Sequence, residues 1–184
     1  MKVTAFCGSP RKGGNTEVLS RAMLEGAESR GAEIVFRNLN SMGIRGCQGC
    51  GWCNDKETEF CIQQDGMQTI YEDIRDSDAL IIGSPIYMWQ MTSQLKAMVD
   101  RLYGTLMGNF DSKIGPRKMA LVFTQGAPDE VFKTYTDSTA AMFRFMKFDV
   151  ADVFMATGKG AAGSAGEDTD LMNKAFDTGA SLLD

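Results

Sequence analysis

Four of the five cysteines fall within fifteen residues, in CQGCGWCNDKETEFC at positions 47–61. Their spacing is C-x2-C-x2-C-x7-C, through Cys47, Cys50, Cys53 and Cys61. So dense a set of thiols has three chemical uses: a disulfide framework, a structural zinc site, or an iron–sulfur cluster. Five is an odd count for a disulfide framework, and thiols in a reducing compartment stay free. Structural zinc usually takes two separated C-x-x-C knuckles, each spanning two corners of a tetrahedron. Three cysteines at successive x2 intervals suit a cubane, where one tight loop wraps three irons. The ferredoxin run C-x2-C-x2-C-x3-C-P is related but different. Here the fourth cysteine comes after seven residues, no proline follows, and no second motif exists to receive it. All four thiols are therefore expected on one cluster, with zinc, an unmetallated loop and redox-active thiols as the alternatives. Cys7 stands apart at the end of an apolar run and reads as plain packing.

The chain has no histidine. This removes the commonest general base, Ser–His and Cys–His pairs, and every zinc site that uses imidazole. Chemistry is then expected to reside in a bound cofactor. Two further stretches offer places to hold one. GSPRKGGNT, residues 8–16, supplies flexible glycines, the hydroxyls of Ser9 and Thr16, the Arg11 guanidinium, Asn15, and the free amides of a helix N-terminus. These suit a phosphate. Asn15 and Thr16 follow the glycines where a Walker A motif requires Lys and Ser/Thr, and the G-x-G-x-x-G spacing of a dinucleotide fingerprint is absent. A simple turn with Asn15 or Thr16 as helix cap would use only one of these polar groups. In GSPIYMWQMTSQLKAMVDR, residues 83–101, Pro85 fixes a turn, and Ile86, Tyr87, Met88 and Trp89 bring flat or polarizable groups to a crevice. The plainer alternative is that Tyr87 and Trp89 close the end of the core. In TQGAPD, which begins at Thr124 and Gln125, Gly126 would let backbone amides approach a planar ligand.

The elements that must position these loops follow from periodicity. Residues 2–7, 33–38, 79–83, 118–124 and 149–156 read as strands, and 79–83 (ALIIG) has the unbroken apolar character of a parallel strand covered on both faces. Helices are expected at about 16–30, around Met67–Ile70–Tyr71–Ile74, around Leu95–Met98–Val99–Leu102, at 129–147, and at about 168–183. Strands alternating with helices give an open, doubly wound α/β sheet, with ligands in the crevice at the strands' carboxyl ends. GKGAAGSAGED, which ends at Asp168, reads as a mobile or ligand-ordered loop. With 184 residues, the chain is expected to form one domain, with a cysteine-bearing loop at about 40–65. A net charge of −5 and a pI near 4.8 argue against nucleic acid or an anionic membrane surface as partner. The first residues lack the apolar run of a signal peptide. The longest uncharged stretch, residues 79–95, contains Pro85 and four Gln or Ser residues, so it is not expected to span a membrane. A cytoplasmic location is the expectation.

GSPRKGGNT, GSPIYMWQMTSQLKAMVDR and the spacing between them resemble the flavodoxin-like, NADPH-dependent FMN reductase family, over nearly the whole chain. The resemblance implies a five-stranded parallel sheet of order 2-1-3-4-5. It implies FMN with its phosphate at Ser9, Arg11, Asn15 and Thr16. The ring would lie among Pro85, Ile86, Tyr87, Met88 and Trp89, then Thr124, Gln125 and Gly126. A compact cysteine motif inserted after strand two of such a fold, with CIQQDGM beside it, looks like the iron–sulfur flavoprotein family. In that family Cys47, Cys50, Cys53 and Cys61 would hold a 4Fe–4S cluster.

What this implies is electron transfer from ferredoxin or NAD(P)H, through cluster and FMN, to a small acceptor such as oxygen, peroxide or a quinone. It also implies a homodimer or homotetramer, with the cluster of one subunit beside the flavin of another. Two other functions compete. One is a cluster-free NAD(P)H-dependent FMN or quinone reductase, and the other a flavodoxin-like electron carrier without a substrate pocket.

Overall fold

The computed structural model describes residues 1–55, 60–128 and 131–184. Five strands, β1 (Lys2–Cys7), β2 (Glu33–Asn38), β3 (Ala79–Pro85), β4 (Lys118–Thr124) and β5 (Asp149–Ala156), form one sheet in the order β2-β1-β3-β4-β5. Every neighbouring pair is parallel, so the expected order and direction both hold. The crossovers carry α1 (Asn15–Ser29), α2 (Met67–Asp76), α3 (Ser93–Arg101), α4 (Lys133–Phe145) and α5 (Thr169–Ser181). The helix expected at 129–147 is shorter at both ends, and its residues 129–130 lie outside the described residues. So do residues 56–59 of the cysteine-bearing segment. Strand β3 runs two residues beyond its apolar core, because Ser84 and Pro85 stay in register with Phe123 and Thr124.

Side chains alternate across the strands with a period of two. Val3, Ala5, Ala79, Ile81, Ala120 and Val122 pack with Leu19, Met23 and Ala27 of α1 and Ala175 of α5. Phe6, Leu80, Ile82, Leu121 and Phe123 pack with Ile70 and Ile74 of α2, Leu95 and Met98 of α3, and Phe143 of α4. Alanines alternate with Val and Ile on the face under α1 and α5, while Phe, Leu and Ile fill the face under the other three helices. The chain leaves β1 toward one face and β3 toward the other. The crevice between their carboxyl ends is therefore the topological switch point.

Cys7 closes β1, fully buried and opposite Gly83. Burial pushes its thiol from 9.0 up to about 11, which keeps it protonated and unreactive at neutral pH. Cys7 is expected to stay unmodified by iodoacetamide at pH 8 until the protein unfolds. Peptide mass mapping checks this, and native-state alkylation would contradict it.

Candidate functional site

The chain leaves β1 through Gly8, whose amide donates to the Gly83 carbonyl at 2.8 Å. Its own carbonyl accepts from the Thr92 hydroxyl at 2.8 Å. Only glycine fits there, because a Cβ would stand 2.8 Å from both Leu95 Cβ and Thr92 Oγ1. Thr92 is also the N-cap of α3, accepting from the Leu95 amide. The first loop and the start of α3 are thus locked together.

The first loop then turns into α1. The Arg11 amide donates to Ser9 Oγ at 3.2 Å, and the Gly14 amide to the Arg11 carbonyl. The N-cap is Gly14 rather than Asn15 or Thr16, and no side chain caps the first turn. The reason lies in what those two side chains do instead. Thr16 Oγ1 shares a hydrogen bond of 2.8 Å with Thr124 Oγ1 at the end of β4. Asn15 Nδ2 donates to the carbonyls of Lys159 and Ala161 at 2.8 Å each, and its Oδ1 accepts from the Ala165 amide at 2.9 Å. Helix α1 therefore begins with uncapped amides and the positive end of its dipole turned to the crevice. An anion satisfies both.

A cavity of about 190 Å³ opens there. Ser9, Arg11, Asn15 and Thr16 line it from the first loop, Pro85, Ile86 and Tyr87 from the β3–α3 loop, and Thr124, Gln125 and Gly126 from the end of β4. Every residue expected at phosphate or ring therefore lines it, except Met88 and Trp89. Those two form the tip of a tight turn closed by paired bonds between Tyr87 and Gln90. Both have left-handed backbones, with φ of 43° and 68°, and they are 87% and 67% exposed. Such backbone is uncommon for bulky residues and carries strain. Trp89 stands edge-on to Phe132.

The sequence marked residues 158–168 as a mobile or ligand-ordered loop without singling out Lys159 and Gly160, which line the cavity from there. Asn15 draws that loop over the crevice, and Lys159 Nζ donates to Asp168 at 2.8 Å. The available signal was a single lysine in a run of glycine and alanine.

The cysteine segment is tied down at both ends. The Arg45 and Met67 amides donate to Asp65 at 3.0 Å each, and Gln68 Nε2 donates to the Cys61 and Gln63 carbonyls. Lys113 Nζ donates to the Cys53 carbonyl at 2.8 Å. Phe60 stacks on Tyr71, with centroids 4.8 Å apart, which fixes the chain as it enters Cys61. Cys47 and Cys50 are exposed, whereas Cys53 and Cys61 are partly buried. Burial raises the pKa of Cys53, with Lys113 pulling the other way. No set of three His, Cys, Asp or Glu residues gathers around a single metal position among the described residues. A single zinc ion would need thiolates converging at about 2.3 Å from one point. A cubane places each thiolate on its own iron and lets them stand farther apart. The donors present, four thiols backed by the cations Arg101 and Lys113, suit an anionic thiolate cluster in their chemistry.

A doubly wound 2-1-3-4-5 sheet with an anion cradle at its switch point defines a flavodoxin-like α/β protein. The chain belongs to the NADPH-dependent FMN reductase family, whose model matches residues 1–180. An iron-sulfur flavoprotein of Methanosarcina thermophila is 42% identical over 101 residues, covering 55% of this chain and 52% of that protein. One from Archaeoglobus fulgidus is 35% identical over 136 residues, covering 71% and 59%. The chain thus spans between about half and three fifths of the length of these relatives. In fold it is similar to the NAD(P)H:quinone oxidoreductase from Methanothermobacter marburgensis. The TM-score is 0.77 at 18% identity, over 100% of this chain and 96% of that one. Among the described residues, no helix is long and apolar enough to cross a membrane.

Proposed function

We propose that this chain binds FMN at the switch-point cavity and a 4Fe–4S cluster at Cys47, Cys50, Cys53 and Cys61. With them it moves electrons from ferredoxin or NAD(P)H to a small acceptor such as oxygen, peroxide or a quinone. The observation that carries the reading is the uncapped start of α1 at the crevice, ringed by Ser9, Arg11 and Lys159. When bound, FMN takes two electrons as hydride and gives them up singly, and a 4Fe–4S cluster carries one at a time.

The chain's own residues bind and orient. The α1 amides and the Ser9 hydroxyl donate to the phosphate, while Arg11 offsets its charge. Asn15 holds the last loop in place rather than touching the phosphate with its side chain. Thr16 fixes α1 against β4. The enclosed volume is below the roughly 300 Å³ at which small-molecule pockets begin, so it suits the anionic end of the ligand. The ring then belongs at the mouth, where Tyr87, Met88 and Trp89 offer flat and polarizable surface and Gly126 leaves the backbone open. Assembly into a homodimer or homotetramer is part of the proposal, supported by apolar side chains left exposed at Met88, Trp89, Phe110 and Phe145. A cytoplasmic location belongs to the same reading, in keeping with free thiols.

The test is a count of FMN, iron, sulfide and zinc per chain on protein purified without oxygen. About one FMN and four irons are expected. FMN with zinc or with no metal would leave a flavin reductase with a structural or redox-sensing cysteine loop. Arg11→Ala tests the cradle. It should weaken FMN about tenfold, ~1.4 kcal/mol, and leave riboflavin, which has no phosphate, unaffected. Equal losses for the two ligands in a fluorescence titration would contradict this assignment.

A further inference from the structure

Arg101, the last residue of α3, has a side chain with 0% exposure. Its Nη1 donates to both Asp65 oxygens, at 2.8 and 2.7 Å, and to the Arg45 carbonyl at 3.2 Å. Its Nη2 donates to the Gln63 carbonyl at 3.2 Å and to Cys61 Sγ at 3.5 Å. Its Nε, also buried, has no hydrogen-bond partner among the described residues. Burying a guanidinium is costly unless it is paired. The pair present is only half its own: Asp65 also accepts from the Arg45 amide and lies 3.5 Å from the Arg45 guanidinium. Burial opposes charge on both partners, and the two hydrogen bonds between them offset that cost. The carboxylate that offsets Arg101 is therefore shared with Arg45, while the other arm of the Arg101 fork brings its charge to the sulfur of Cys61. A neutral thiol has little use for such surroundings. A thiolate bearing part of a cluster's negative charge does.

We propose that Arg101 is a positioning residue that raises the reduction potential of the cluster held through Cys61. The proposal rests on the cluster reading above. Its N–H bond and positive charge at the sulfur favour the state with one more electron, which is the more negative one. The same contacts staple the loop, and a staple alone would move no potential.

The experiment is a redox titration of the FMN-loaded protein without oxygen, in which a reduced mediator dye supplies the one electron and the cluster is followed by paramagnetic resonance. Iron and FMN are counted in each sample. Arg101→Gln should lower the equilibrium constant for reduction at least tenfold, 59 mV for one electron. Arg101→Lys, which keeps the charge and loses the fork, should fall between it and the parent. Asp65→Asn removes the compensating carboxylate and should shift the potential the opposite way. Unchanged potentials with full iron would overturn the proposal and leave Arg101 a staple. If Arg101→Gln does not fold, as absent FMN would show, Asp65→Asn decides alone, and a failure to rise overturns it. A parent protein without iron and sulfide would remove the cluster reading itself, which is visible before any variant is titrated.

Discussion

Gly179→Ala is expected to lower the unfolding free energy by about 3 kcal/mol, at the upper end of what overpacking costs. For a chain of this size that is a fall in midpoint of roughly 6–12 °C. A Cβ on Gly179 would stand 1.8 Å from the Met23 carbonyl oxygen, and one on Gly26 would stand 2.0 Å from that of Phe176. In both cases the obstacle is backbone, which no rotamer change can clear. Helices α1 and α5 approach this closely because the sheet beneath them presents Ala5, Ala79 and Ala120. Each glycine gives up about 1 kcal/mol of helix propensity, which only the close approach explains. Gly46→Ala is the control, since a Cβ there meets nothing within 4 Å. Calorimetry of the three proteins checks the prediction. A loss at Gly179 no greater than at Gly46 would mean the helices can part without cost.

Replacing Cys47 and Cys50 together by serine should reduce iron from about four per chain to almost none, with FMN still near one per chain. Both thiols are exposed, so neither contributes to the core, and serine occupies the same space. The unfolding midpoint of the metal-free protein should therefore hardly move. Ferredoxin-linked reduction should be lost along with the iron, while reduction of flavin by a small chemical reductant should persist. Iron retained in the double variant would show that these thiols do not hold it. Loss of FMN as well would mean that the loop supports the flavin site mechanically.

The parts legible in the sequence are those written in contiguous residues. ALIIG read as a covered strand, and it is the centre of the sheet. The loops after β1, β3 and β4 were legible because glycine, proline and hydroxyl residues follow each apolar run directly. What could not be read depends on residues far apart in the chain. Arg101 lies 36 residues beyond Asp65, and Asn15 lies 150 before the amide that its side chain accepts from. Helix propensity made Asn15 a natural cap, but tertiary bonds to the β5–α5 loop won, and Gly14 took the position. Met88 and Trp89 were read at the ring from their flat or polarizable side chains, but that they stand at the tip of the tight turn from Tyr87 to Gln90, outside the cavity lining, was not written in those side chains.

Helix α3 acts as a ruler. One end begins at Thr92, which grips Gly8 beside the anion cradle, and the other ends in Arg101, which grips Cys61 and Asp65. Its nine residues make a rod of about 13 Å. The spacing of the two sites within one chain is thus fixed by a count of residues rather than by loop conformation. Inserting a single residue would lengthen the rod by about 1.5 Å and swing its far end by roughly 100°. No side-chain adjustment at either site could absorb that change, so the length of this helix is as constrained as any residue in it.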